Sequence, residues 1–413
     1  LMFRFAAKLA LVMIMGFQTL NAQSVWNEKT AVKEALRFLQ KVEDETIREQ
    51  IKITEIPAPP FKEGQRAEYL MKRFRDLGLH DVRRDSEGNV IAAYPGGGDG
   101  PLLVLSAHLD SVFPEGTDVK VRREGNILKG PGISDDSRGL AVMLAVARAL
   151  TLHKITIGGR LLFVGTVGEE GPGNLRGVRH LFEKELEEVD YFISIDDVGL
   201  KTISTAVGSN RYKVIFRGSG GHSYADFGIR NPMHALGRAM AGIADFQVSS
   251  RPKTTFSIGR VSGGTSVNSI AHTVWMEVDM RSQDAEELDK LDRMFKKTVY
   301  KALVRENRRW SSGDTLTVEF VTIGKRPTGT LPEKATILQA VSRADQALGI
   351  ESQYQPGSTD ANVPISMGIE AVTLGGGGDG QYKHSLQETF DTTDSYIGTQ
   401  RIFLAVLELL GVR

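Results

Sequence analysis

The sequence predicts an α/β fold, a mostly parallel sheet with helices on both faces, interrupted by a smaller inserted α+β domain. Three observations predict it. The runs LLVLS (102–106), RLLFVGTV (160–167), YFISI (191–195) and EAVTLG (370–375) are apolar at consecutive positions, as in strands buried on both faces. Helical patterns lie between them, RGLAVMLAVARALTL (138–152) and LRGVRHLFEKELEE (175–188), and this alternation is that of a sheet covered by helices. Residues 209–323 then follow another order: strand (211–218), helix (231–245), strand (254–261), strand (272–281), helix (284–306), strand (315–323). That order is ferredoxin-like. Its second and third strands alternate polar and apolar residues, so one face of this second sheet is expected to be exposed.

The remaining elements follow in order. Residues 28–50 read as a helix, and IPAPPF (56–61) breaks the chain with three prolines. EGQRAEYLMKRFRDLGL (63–79) has apolar residues at helical spacing, and GNVIAAYPG (88–96) reads as a strand ended by proline and glycines. After the insertion come a helix at 333–348, the last buried strand and a closing helix at 393–411. The expected domains are residues 23–208 with 324–413, and the insertion 209–323.

Composition excludes several classes. Of 413 residues, 41% are hydrophobic and 25% charged, which suits a soluble chain with a real core. Lys+Arg and Asp+Glu both number 51, so the basic bias of nucleic-acid and membrane-surface binders is missing. There is no cysteine, hence no disulfide and no thiolate chemistry. Residues 1–22 have the order of a secretory signal peptide: Arg4 and Lys8, an apolar run from Leu9 to Phe17, and a polar stretch ending at Ala22. That run is short for a bilayer span of about 20 residues. The expectation is export to the periplasm or medium, with no membrane attachment after cleavage.

The chemistry gathers where the buried strands end. LLVLS leads to His108 and Asp110, RLLFVGTV to Glu169 and Glu170, YFISI to Asp196 and Asp197, and EAVTLG through glycines to His384. GPGISDDSRG places Asp135 and Asp136 just before a helix. Ligands of open α/β sheets bind outside the carboxyl ends of the strands, so these groups converge on one edge. Carboxylates at this density repel unless cations hold them together. Imidazole with carboxylate and no thiolate suits zinc in a hydrolytic site.

The order HxD, GxxDD, GEEG, a later acid and a final histidine resembles the co-catalytic zinc metallopeptidases of the peptidase T, aminoacylase, carnosinase and glutamate carboxypeptidase family. SAHLDSV, GPGISDDSRG, VGEEGPG and HSLQE stand in that family's order, and the likeness spans essentially the whole mature chain. The resemblance implies two zinc ions, with cobalt or manganese able to share such sites. His108 and Asp196 would hold one ion, Glu170 and His384 the other, and Asp135 would bridge them. Asp110 would orient the His108 imidazole, and Glu169 would be the general base. Asp136 and Asp197 are left as alternative ligands or as helix-start and supporting groups.

The insertion carries GSGGHSYADFGIRNPMHAL (218–236), which resembles the family's lid and dimerisation domain. There His222 would reach into a second subunit's site and stabilise an oxyanion, making the protein a homodimer. Asn268 and Arg281 would contact substrate, and PGSTDAN (356–362), with Gly357, resembles the loop facing the metals. Some relatives carry an arginine where this chain has Pro356. The implied substrates are small peptides or, with the same residues, N-acyl amino acids. A neighbouring aminopeptidase superfamily shares the ligand order but not such an insertion. GGGGDG (375–380) satisfies GxGxxG, yet no βαβ unit can follow it, so its glycines are expected to let the backbone pass close to metals or substrate.

Overall fold

The computed structural model describes residues 29–413, so the expected signal peptide lies outside the described residues. The main sheet has nine strands. At its centre Arg160–Thr166, Leu102–His108, Tyr191–Ile195 and Glu370–Leu374 lie side by side and parallel. Every residue of Leu102–His108 is buried, which is why its run carries no polar alternation. Antiparallel pairs flank them: Val90–Ala93 pairs with Arg160–Thr166, and Lys201–Ala206 with Glu370–Leu374, while Gln353–Gly357 adds parallel to Lys201–Ala206. Because the four central strands share one direction, His108, Thr166, Ile195 and Leu374 end at the same edge.

Helix Ser137–Leu152 packs on Leu102–His108 and on the closing helix Tyr396–Leu410. Both are apolar nearly all round because each is enclosed by sheet and neighbouring helices. Within that layer the buried Arg138 donates to Gly376 O at 2.8 Å, Glu43 Oε1 at 2.9 Å and Ser395 O at 2.7 Å. One side chain thus ties together the amino-terminal helices, the glycine loop and the start of the last helix.

The insertion forms its own four-stranded antiparallel sheet, in the order Thr254–Gly263, Thr273–Ser282, Gly208–Arg217, Thr317–Arg326. Helices Pro232–Ala244 and Ala285–Arg309 cover one face and share a separate apolar core with it. The other face is only half buried, following the strict alternation of Thr273–Ser282. The insertion's separate sheet, with its own apolar core, separates this chain from an undivided aminopeptidase fold.

Three local expectations need correction. The first helix is two, Thr30–Lys41 and Glu43–Thr54, which break at Val42. The 175–188 helix is a short α-helical turn, Arg176–His180, followed by a wider-wound turn, Leu181–Glu185. The glycines after the last strand serve packing rather than metals or substrate. Gly377 has φ +83°, and a Cβ there would lie 2.2 Å from Ser395 O and 2.8 Å from Gly398 N, at the start of the closing helix.

Candidate metal centre and active site

His108 ends its strand with the imidazole buried. Its Nε2 lies 2.9 Å from Asp135 Oδ1, and its Nδ1 lies 3.0 Å from the main-chain O of Asp110. The Asp110 carboxylate is 3.6 Å from Nδ1, too far for a hydrogen bond. His384 approaches from the far end of the chain, with Nε2 2.9 Å from Asp135 Oδ2 and 3.2 Å from Glu170 Oε1. Asp135 therefore offers one oxygen to each imidazole. His108, Asp135 and Glu170 bring ligand atoms within 4.8 Å of one another. Asp196, directly after Tyr191–Ile195, is buried and lines the same cavity of roughly 460 Å³. Lys383 joins it to the group, its Nζ lying 3.1 Å from Asp135 Oδ2 and 3.6 Å from Asp196 Oδ1.

The loops that carry these ligands are held by carboxylates. Asp110 accepts the main-chain N–H groups of Glu169 at 3.0 Å and Glu170 at 2.8 Å, fixing the turn on which both glutamates stand. Gly168 opens that turn at φ +67°, a conformation L-residues rarely adopt. Asp136 caps helix Ser137–Leu152 by accepting from Gly139 N at 3.0 Å, and its other oxygen accepts His108 N at 2.9 Å. It is thus a cap and a brace rather than a member of the ligand group. Glu388, fully buried, accepts N–H from Gly132 at 3.0 Å, Ser134 at 2.9 Å and Asp135 at 3.2 Å.

The electrostatics are those of crowded acids. Burial, with Asp135 close by, pushes the Glu170 carboxyl up to about 8. Burial likewise raises Asp196 to about 6, although Lys383 opposes it. Hydrogen bonds to Asp135 and Glu170 push His384 up to about 10. His108 is also raised: burial works against its cation, but the hydrogen bond to Asp135 and the charges of Asp136 and Asp135 outweigh it.

These residues fit two divalent cations. The donor set is imidazole and carboxylate, the central carboxylate presents an oxygen to each side, and the acids need positive charge to coexist. In this structure the Lys383 ammonium supplies part of that charge. Asp85, His180 and Glu185 also meet elsewhere. Asp85 Oδ1 is spent there on three main-chain N–H groups and Glu185 on Arg83, so that group is a braced turn.

The remaining sequence-predicted residues divide. Glu169, Arg281 and Gly357 line the cavity with the ligands. His222 and Asn268 do not. They lie together on the exposed rim of the insertion, where Ser223 N donates to Asn268 O at 2.9 Å and Gly221–His222 pairs with Ser269–Ile270. Asn268 and Arg281, both expected to contact substrate, are separated: Arg281 lines the cavity, and Asn268 lies beside His222 on the rim.

Sequence reasoning missed Arg326, Lys383 and Glu388. Arg326 ends the last strand of the insertion and donates Nη1–H to Glu169 Oε1 at 2.8 Å. No motif marks it. Glu388 closes the quoted HSLQE, and Lys383 immediately precedes His384, so their places beside a ligand were the available signal.

A family model for peptidase family M20/M25/M40 matches residues 104–408. The succinyl-diaminopimelate desuccinylase of Pseudomonas syringae pv. syringae is 26% identical over 337 residues, covering 75% of this chain and 84% of that one. The aminopeptidase PepT of Bacillus cereus has the same fold, with a TM-score of 0.72 at 22% identity over 89% of this chain and 98% of that one. So does the YXEP protein of Bacillus subtilis, described as a dinuclear metal-binding peptidase, with a TM-score of 0.65 at 18% identity over 90% of this chain and 99% of that one. With its ligand cluster at the carboxyl edge of a parallel sheet and its inserted second sheet, the chain belongs to peptidase family M20/M25/M40 and is an amide-bond hydrolase.

Proposed function

We propose that the chain is an exported di-zinc exopeptidase or dipeptidase that hydrolyses an amide near one end of a small peptide. The observation that carries this reading is the different company kept by two adjacent glutamates. Glu170 faces His384 and the ligand cluster, while Glu169 faces Arg326 across the cavity. His108 and Asp196 would hold one ion, Glu170 and His384 the other, with Asp135 between them. Bound there, the ions would polarise the amide carbonyl and lower the pKa of water, so that it can be deprotonated for attack near neutral pH. Glu169 Oε1 is held by Arg326, which leaves Oε2 to take a proton from the attacking water and deliver it to the leaving amine. The rim position of His222 supports a role in a second copy of the chain, as a donor to the developing oxyanion. Export rests on the order of residues 1–22.

A second reading, hydrolysis of N-acyl amino acids with the same residues, is favoured by the desuccinylase relative. Metal analysis coupled to hydrolysis assays on short peptides and N-acyl amino acids tests both. Cleavage of peptides with two zinc ions per chain is the expected result. Cleavage of acyl amino acids alone would select the second reading, and stoichiometric metal with no amide hydrolysis would overturn both.

A further inference from the structure

Strand Gly208–Arg217 places Arg211 directly opposite Asp279 on Thr273–Ser282, and Arg281 follows two residues later on the same half-exposed face. Asp279 accepts from both arginines, taking Arg211 Nε at 2.8 Å on one oxygen and Arg281 Nε at 2.7 Å on the other. Both contacts use Nε. Among the described residues no hydrogen bond or ion pair engages the Nη atoms of either arginine. Two guanidinium ends are therefore fixed by one carboxylate with their outer donors free. The triad keeps a net charge of +1, two cations less one anion. Burial favours the neutral carboxyl of Asp279, but the two guanidiniums hold it below the usual carboxylate range.

Both arginines line the cavity that holds Asp135, Glu169 and Glu170. The other cations of that cavity are engaged in this structure: Arg326 on Glu169, Lys383 on Asp135 and Asp196, and His384 on Asp135 and Glu170. The stem of Arg211 is seated where the facing strand bulges. A Cβ on Gly324 would lie 3.1 Å from Arg211 Cδ, so the glycine leaves room for the stem.

We infer that Arg211 is a specificity-determining residue that, with Arg281, selects substrates carrying two carboxylates on the side of the amide away from the metals, such as a carboxyl-terminal glutamate or aspartate. This rests on the amide-hydrolase reading of the site. Each guanidinium presents a planar fork that suits one carboxylate. A substrate with a single carboxylate fills one fork and leaves the other without a partner. Pro356 offers no charge, so the anionic end is read from the inserted domain.

The test compares kcat/KM of the metal-loaded enzyme for Ala-Glu against Ala-Gln, and for N-acetyl-Glu against N-acetyl-Gln, in wild type, Arg211→Ala and Arg211→Lys. The wild type is expected to favour the Glu member about 10- to 100-fold. Arg211→Ala should collapse that ratio toward one, chiefly through KM, and Arg211→Lys should fall between. An equal wild-type rate for the Glu and Gln members, or an Arg211→Ala enzyme that keeps the ratio, overturns the inference. Titration of the same proteins with free L-glutamate and L-glutamine separates this from failure of the hydrolase reading. If no amide is cleaved, tighter glutamate binding that is lost in Arg211→Ala still supports the clamp, and equal binding of the two overturns it.

Discussion

Arg326, at the end of the insertion's last strand, is joined to Glu169, three residues beyond strand Arg160–Thr166 of the main sheet. Arg326 Nη1 donates to Glu169 Oε1 at 2.8 Å, and Nη2 donates to the main-chain O of the same residue. Both side chains are buried. The last strand of the insertion thus ends on the candidate base, and the position of that carboxylate depends on where the insertion sits.

Arg326→Ala should lower kcat about 10- to 100-fold while leaving metal content intact, because Glu169 loses its positioning donor and Oε2 is no longer aimed. Arg326→Lys should recover part of the rate. Steady-state kinetics with metal analysis of the same samples checks this. Loss of metal in Arg326→Ala would show that the arginine supports the ligands instead.

Asp110→Ala should weaken metal binding about 10- to 100-fold, as loss of a supporting carboxylate does in metal sites. The physical cause is the turn: the N–H groups of Glu169 and Glu170 lose their common acceptor. Competition against a metal chelator gives the affinity. Unchanged affinity in Asp110→Ala would refute the bracing role.

Glu388→Ala should destabilise the fold by about 2–4 kcal/mol, since it orphans the buried N–H groups of Gly132, Ser134 and Asp135 together. Denaturant unfolding of the metal-free protein reads this without the metal contribution. A change within about 0.5 kcal/mol, as at an ordinary surface site, would contradict it.

Metal binding should release protons and strengthen as pH rises. Without metal, hydrogen bonds to Asp135 and Glu170 raise His384 to about 10, and burial raises Glu170 to about 8, so both hold protons at pH 7. Metals require the deprotonated forms, so each binding event displaces those protons. Apparent affinity should therefore fall as pH drops from 8 to 6. Calorimetry in buffers of different ionisation enthalpy measures the release, and a pH-independent affinity with no proton release would contradict the cause given.

Much of this was legible in the sequence because it rests on local pattern. The four buried strands show as unbroken apolar runs, and the residues just after them are the ones the parallel sheet brings to one edge. His108, Glu169, Glu170, Asp196 and Asp197 stood out that way, and the family resemblance chose Asp135 over Asp136 and Asp196 over Asp197. The break at Val42 was not legible, because helical spacing continues through it. Arg281 was assigned through the resemblance, but Arg326, Arg211 and Asp279 were not, because their meaning lies in pairing between strands distant in sequence. In the sequence, Arg211 is one polar residue among several on an alternating strand. The glycines at 375–378 were misread because a close approach is visible in sequence, but what is approached is not.

On the proposed mechanism Glu169 and Glu170, adjacent in the chain, do different work. Measuring metal stoichiometry and kcat together in Glu169→Gln and Glu170→Ala tests this. Gln at 169 keeps a partner for Arg326, so the comparison removes the base without leaving that cation unpaired. Glu169→Gln is expected to retain both metals and lose about 10²- to 10⁴-fold in kcat, whereas Glu170→Ala is expected to lose metal. A Glu169→Gln protein with full metal and full activity would contradict it.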